Sequence, residues 1–240
     1  MAFDAESRKK LQLFLIFAII VAGGRAAWVI YERYQSRKEA EQPKQEQALK
    51  ADYYVTPKKL HPYDLKSARE LTKQPVWVKV GYYYTYFPYD TKRHETDFAH
   101  DAGLLLPLQK LAIQDVVTGV SPEAKGVKQV LAVFQLDGKT YAVVIGSAQG
   151  EDFKIYSDDI FFIEDPRELY KFWPAEVWNA IDSHEVRPGM SELQTTCAIG
   201  AGHLESGTSS DPRILHYANG GKPLNITFHN DRATKIEPGA

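Results

Sequence analysis

The feature that most constrains this chain is one apolar run, Leu11 to Tyr31, LQLFLIFAIIVAGGRAAWVIY, in which only Gln12 and Arg25 are strongly polar. A helix crossing a hydrocarbon core of ~30 Å needs ~20 such residues, so the run predicts a single-pass transmembrane anchor. Arg8, Lys9 and Lys10 precede it, and Trp28, Tyr31 and Tyr34 close it with the aromatic side chains that favour membrane interfaces. Arg25 is expected to snorkel toward the headgroups on its aliphatic stem. A cleaved secretory signal and a buried core helix are the competing readings. The signal lacks a clean small-residue cleavage site, and nothing apolar follows closely enough to bury a core helix. Arg33, Arg37 and Lys38 balance the leading cations, so the positive-inside rule leaves orientation open.

Beyond the run, Glu32 to Lys50 is almost all Glu, Gln, Lys, Arg and Ala. Too little apolar area is present to build a core there, so the stretch reads as a solvated helix or a flexible tether. Interspersed acids and bases argue against nucleic acid as its partner. Net charge is −2, which gives no general pull toward polyanions. The single cysteine, Cys197, excludes an intramolecular disulfide and a multi-cysteine zinc site. The segments expected are residues 1–10 as an N-terminal tail on the cytoplasmic side, 11–31 as the anchor, 32–51 as the linker, 52–170 as a β-rich domain and 171–240 as a second small domain.

In residues 52–170, Asp64 can cap a helix from Leu65 to Lys73 whose Leu65, Ala68 and Leu71 share a face. Val76 to Phe87 alternates as one strand bent at Gly81, with Tyr82, Tyr84 and Tyr86 on one side as a possible binding platform. Asp90 to Asp101 reads as a polar loop. Its His94, Glu95, Asp97, His100 and Asp101 match no metal-ligand spacing, so the expectation is no metal. Leu104 to Val117 reads as one strand with Pro107 near its start. Val127 to Ser147 is a hairpin around Asp137-Gly138, which supplies the positive-φ positions of a type I′ turn. With Asp152 to Asp165 this gives a small antiparallel sheet or SH3-like partial barrel. The acids from Glu151 to Asp165 lack calcium-loop spacing. Asp165-Pro166-Arg167-Glu168 instead starts a helix, as an N-cap followed by proline at the first helical position.

The last seventy residues change period. Val177, Ala180 and Ile181 mark a helix face, and Ser191 with Gln194 forms a capping box for a second helix ending at Gly200. Cys197 falls on its apolar side, as a packed thiol. A Gly- and Ser-rich stretch, 201–211, reads as a loop. Turn signals at Asn219-Gly220 and Asn230-Asp231 then divide a three-stranded meander whose core should include Met190, Leu193 and Phe228.

Four stretches carry a family resemblance: VRPGMSELQ (Val186 to Gln194), AIG (Ala198 to Gly200), LHY (Leu215 to Tyr217) and ITFHND (Ile226 to Asp231). They resemble the SmpA/OmlA, or BamE-like, domain of outer-membrane assembly proteins. That resemblance implies a two-helix, three-strand adaptor over Glu176 to Glu237, which together with the transmembrane helix and the middle sheet makes the expected chain α+β. It also implies an envelope protein as partner and a soluble part on the periplasmic side of the inner membrane.

No nucleophile elbow, paired-carboxylate frame or ligand motif occurs, so no catalytic, cofactor or metal residue is assigned. The function expected is a membrane-anchored, non-catalytic binding or assembly module of the cell envelope. Its candidate contacts are His216, Tyr217, Asn225 and His229 on the meander, with Tyr82 and Tyr84 on the tyrosine strand. The alternatives are a cytoplasm-facing regulatory module on the membrane, or a hydrolase drawing on scattered Asp182, His184, His203 and His216 and on the His94 to Asp101 loop.

Overall fold

The structure is a computed structural model that describes residues 55–120, 126–204 and 211–239, together with Arg25, Trp28 and Tyr31. Asp64 opens helix α1 (Leu65–Ala68). Its carboxylate accepts from the Ser67 amide, and the Ser67 hydroxyl accepts in return from the Asp64 amide. The turn tightens into a 3-10 segment, Arg69–Lys73, which buries Leu71.

The strand expected over Val76 to Phe87 is two strands, β1 (Val76–Val78) and β2 (Thr85–Asp90), with a turn between. The cause is a close approach that period-two alternation does not report. A Cβ on Gly81 would lie 2.1 Å from the Pro107 nitrogen, and Tyr82 beside it takes a left-handed φ of 58°. Pro107 divides its own stretch likewise, into β4 (Gly103–Leu104), β5 (Lys110–Leu111) and β6 (Ile113–Val120). The loop expected over Asp90 to Asp101 contains a short strand, β3 (Glu95–Thr96).

Strand β7 (Lys128–Leu136) turns into β8 (Lys139–Gln149) through Asp137 and Gly138, whose φ values of 51° and 75° make the type I′ turn. With β9 (Asp152–Ile155) these strands build an antiparallel sheet in the order β3-β2-β8-β7-β6, where β4 joins β2 and β9 joins β8. A one-turn helix, α2 (Ser157–Ile160), leads into β10 (Phe161–Phe162), and β10-β1-β5 is a second antiparallel sheet. Alternation along β7 sends Val130, Ala132 and Phe134 into the first core with Val143 and Ile145. Leu131 and Val133 go to the opposite face, with Ala142 and Tyr89.

Helix α3 (Pro166–Leu169) starts at the Asp165 cap, followed by α4 (Ala175–Asp182) and α5 (Glu192–Ile199). Ser191 and Gln194 form the reciprocal capping box, both residues buried. Strands β11 (Gly202–Leu204), β12 (Arg213–Tyr217), β13 (Leu224–His229) and β14 (Arg232–Pro238) form a third antiparallel sheet in chain order. Met190, Cys197, Tyr217 and Phe228 are buried between helices and sheet, with Leu193 packed at the margin. Tyr170 stacks on Trp173 at 4.4 Å between ring centroids, and Trp178 closes the cluster.

The fold class therefore differs from the α+β expectation. The described chain is mostly β, with three antiparallel sheets. No helix longer than eight residues occurs among the described elements from Val55 onward. The middle region is not one small SH3-like sheet, because Gly81 and Pro107 split its strands between two sheets. The last region is not a two-helix, three-strand module, because Gly202–Leu204, read as loop, adds a fourth strand.

The single-pass anchor is corrected as well. Among the described residues no helix is long and apolar enough to cross a membrane. Leu11 to Tyr31 lies outside the described residues except for Arg25, Trp28 and Tyr31, which are helical and exposed, Trp28 by 71 %. The transmembrane assignment, the inner-membrane location and the membrane partner through that helix accordingly have no support here. Apolar length is a necessary condition for spanning and not a sufficient one. The tether at residues 32–51 also lies outside the described residues.

Candidate functional site

The candidate contacts resolve by strand direction. On β12 and β13 the pairing is Arg213↔Phe228, Leu215↔Ile226, His216↔Asn225 and Tyr217↔Leu224. Leu215, Tyr217, Ile226 and Phe228 are the buried positions and face the helices. His216 and Asn225 point the other way, where the His216 ring nitrogen Nδ1 and the Asn225 side-chain oxygen lie 2.5 Å apart. His203 on β11 pairs with His216, and Glu237 on β14 pairs with Asn225. One polar row, His203–His216–Asn225–Glu237, thus runs straight across the outer face. Beside it runs Ile214–Thr227–Lys235.

Tyr217 belongs to the core. It is 1 % exposed, and burial raises the pKa of its hydroxyl well above the ordinary tyrosine value. His229 ends β13 in the open, its Nδ1 3.3 Å from the Asp211 carboxylate. Tyr82 is half-buried, edge-on to His184 at 6.0 Å, and its amide donates to the Leu105 carbonyl. Tyr84 packs against the first core, and burial, with Tyr156 and Tyr83 nearby, pushes its pKa up to about 12.

The residue that sequence alternation missed is Tyr83. The left-handed turn at Tyr82 rotates it outward, 58 % exposed, with its ring 6.4 Å from that of His203. It extends the polar row past β11. The Leu105 amide donates to Tyr84, which brings exposed Leu104 and Leu106 to the same border. A positive φ in a tyrosine run leaves no mark on hydrophobic periodicity, so no sequence signal could have found this.

Two residues of the hydrolase alternative, Asp182 and His184, are tied into the fold. Asp182 pairs with Arg167, whose guanidinium also lies over the Trp178 ring at 4.7 Å. The His184 ring is 3.0 Å from the Ala198 carbonyl and ties α4 to α5. In the Asp90 to Asp101 stretch, His100 sits 2.8 Å from Asp97 and holds that carboxyl below its usual range. His94 lies 3.5 Å from the Tyr89 hydroxyl. An open cleft of about 1040 Å³ borders this stretch, lined among others by Tyr89, Arg93, Glu95, Thr96 and Lys139. Among the described residues no group of three or more His, Cys, Asp or Glu side chains is placed to hold a metal.

Compared with known proteins, the chain matches no family model, no curated protein and no solved structure.

Proposed function

We propose that this chain is a non-catalytic protein-binding module, and that it meets its partner with the outer face of the β11–β14 sheet. The observation that carries the reading is the row His203–His216–Asn225–Glu237, continued by exposed Tyr83. An antiparallel sheet commonly buries one face and leaves the other to solvent. Here the outer face combines hydrogen-bonding groups with a tyrosine and flanking leucines, the mixture that suits a protein contact with an anchor at its margin. The resemblance of Val186 to Gln194 and Ile226 to Asp231 to the SmpA/OmlA family favours an assembly adaptor, with an envelope protein as the partner class.

Site-specific photocrosslinking tests this. A photoreactive residue at Asn225 or Glu237 should yield a discrete adduct, whereas one at exposed Lys154 on β9 should not. Tyr83→Ala should remove the Asn225 adduct and leave thermal unfolding unchanged, since surface changes usually stay within ~0.5 kcal/mol. Equal crosslinking at Lys154 would refute the contact face, and substrate turnover lost on His203→Ala would refute the non-catalytic reading.

A further inference from the structure

The polar row on the outer face begins with two histidines set directly against each other. His203 on β11 and His216 on β12 are a register pair, so their Cα atoms lie about 4.5–5.5 Å apart and both side chains rise on the same side of the sheet. Leu215 and Tyr217, on either side of His216, are buried against the helices, which puts the pair on the outer face. Imidazoles at this spacing make a chelating unit. Two nitrogens held ~2.0–2.1 Å from one ion stand about 3 Å from each other. Opposite residues on adjacent strands reach that separation by side-chain rotation alone.

Asn225 prepares one half of the unit. Its side-chain oxygen lies 2.5 Å from His216 Nδ1. An amide oxygen only accepts, so Nδ1 carries the hydrogen and, in the neutral ring, the lone pair sits on Nε2. Asn225 stands on β13, so Nδ1 points that way. The shape of the ring then places Nε2 at its outer tip, on the side of β11 and His203. A ligating histidine commonly donates its other ring N–H to an oxygen in this manner, which fixes its tautomer and ring plane. His203 is the adjustable half, an exposed side chain whose ring lies 6.4 Å from that of Tyr83. The rest of the row adds no ligand. Glu237 stands two strands beyond His216, roughly 10 Å away at the usual strand spacing, and pairs with Lys235.

We propose that His203 and His216 form a binding site for a divalent late transition-metal ion, held by the two imidazoles with water in the remaining positions. Neutral nitrogen donors select Cu²⁺, Ni²⁺ or Zn²⁺ over Mg²⁺ and Ca²⁺, which take oxygen ligands, and the ordinary affinity order puts Cu²⁺ first. With two protein ligands the ion is exchangeable, unlike the closed four-ligand sites that hold a fold together. Leu215, Tyr217, Ile226 and Phe228 pack on the other face, so the sheet keeps its core without the ion. The site stands on the register of β11 and β12 and does not depend on the protein-contact reading of the same face.

The test titrates the untagged full chain, alone, with Cu²⁺ by calorimetry and reads the copper form by pulsed EPR. The expected result is a leading site that takes one ion per chain, with two imidazoles coupled to the copper. His203→Ala and His216→Ala should each weaken binding by about tenfold or more and leave one imidazole coupled, with metal-free unfolding unchanged. Asn225→Ala should weaken it by about tenfold yet keep both imidazoles coupled, because only the orienting bond is lost. His100→Ala should leave the affinity as it is, and an equal loss there would overturn the site. Parent-like affinity in His203→Ala would overturn it as well. Because His203 is exposed, that variant decides the matter even where His216→Ala fails to fold. A single coupled imidazole in the parent would also overturn the proposal. No partner enters this titration, so a failure of crosslinking at Asn225 refutes the contact face and leaves the metal site standing.

Discussion

The two cores of the unit from Val55 onward are filled with different materials. The first, within and under the large sheet, is mainly aliphatic: Val76, Val78, Val116, Val130, Val143 and Ile145, with Phe134 at its centre. The second, between α3–α5 and the β11–β14 sheet, is aromatic: Phe162, Tyr170, Trp173, Trp178, Tyr217 and Phe228. β-branched side chains fit the thin layer against a pleated surface. The cores share one wall, because β1 and β10 alternate between them. Val76, Val78 and Phe161 face the first core, while Trp77 and Phe162 face the second. The difference in filling therefore does not imply two separable bodies, and Val55–Ala240 packs as one unit.

The largest effects should come from emptying either core. Phe134→Ala and Phe228→Ala, both fully buried, should each cost about 3–5 kcal/mol. If the shared wall couples the cores, each variant moves a single denaturant transition as a whole. Two transitions, with Phe228→Ala shifting only one, would break the comparison and make the regions independent folding units.

Next comes the seam itself. The Gly81 carbonyl oxygen would lie 2.2 Å from a Cβ on Gly200, where φ is +88°. Backbone stands on both sides, so neither can yield as a side-chain tip would. Gly200→Ala should cost about 3 kcal/mol, from overpacking added to left-handed strain. Gly138→Ala, also at positive φ but with open space around it, should cost only about 1 kcal/mol. Similar losses for the two variants would mean that the seam is loose.

Capping effects are smaller and differ between the regions. Ser191→Ala should cost about 1–2 kcal/mol by orphaning buried groups at the start of α5. The equivalent change at half-buried Asp64 should cost less, because water can replace its hydrogen bonds more readily than those of buried Ser191. Hydrogen exchange at the Gln194 and Ser67 amides separates the two.

Local chemistry was the legible part of this chain. The Asp137-Gly138 turn and the caps at Asp64, Asp165 and Ser191 all depend on residues within a few positions of one another, and all form. Strand continuity was not legible, because it depends on partners far along the chain. Gly81 meets Pro107 and Gly200, and the contact that breaks the tyrosine strand is invisible to its own alternation. Within the candidate site, period two was enough to put His216 and Asn225 on different faces from their neighbours. It could not say that Tyr217 faced the core, since the pattern L-H-Y reads equally well either way. Tyr83 and β11 required the turn at Tyr82 and the close packing of Gly202 on Tyr217.

The smallest effect is nil at neutral pH and appears only in alkali, once in each region. Tyr84 at the first core and Tyr217 in the second are both held protonated by burial, Tyr84 up to about 12. An unfolded tyrosine ionises near pH 10. Below that value both states keep the proton and the shift contributes nothing to pH dependence. As pH rises from about 10 toward the folded value, the unfolded chain loses its proton first and stability falls. Tyr217→Phe should flatten this alkaline slope more than Tyr84→Phe, because Tyr217 is the more deeply buried. Denaturant midpoints measured across that range for the parent and both variants decide it. A steeper contribution from Tyr84 would mean that water reaches the Tyr217 hydroxyl more easily than that of Tyr84, against their burial.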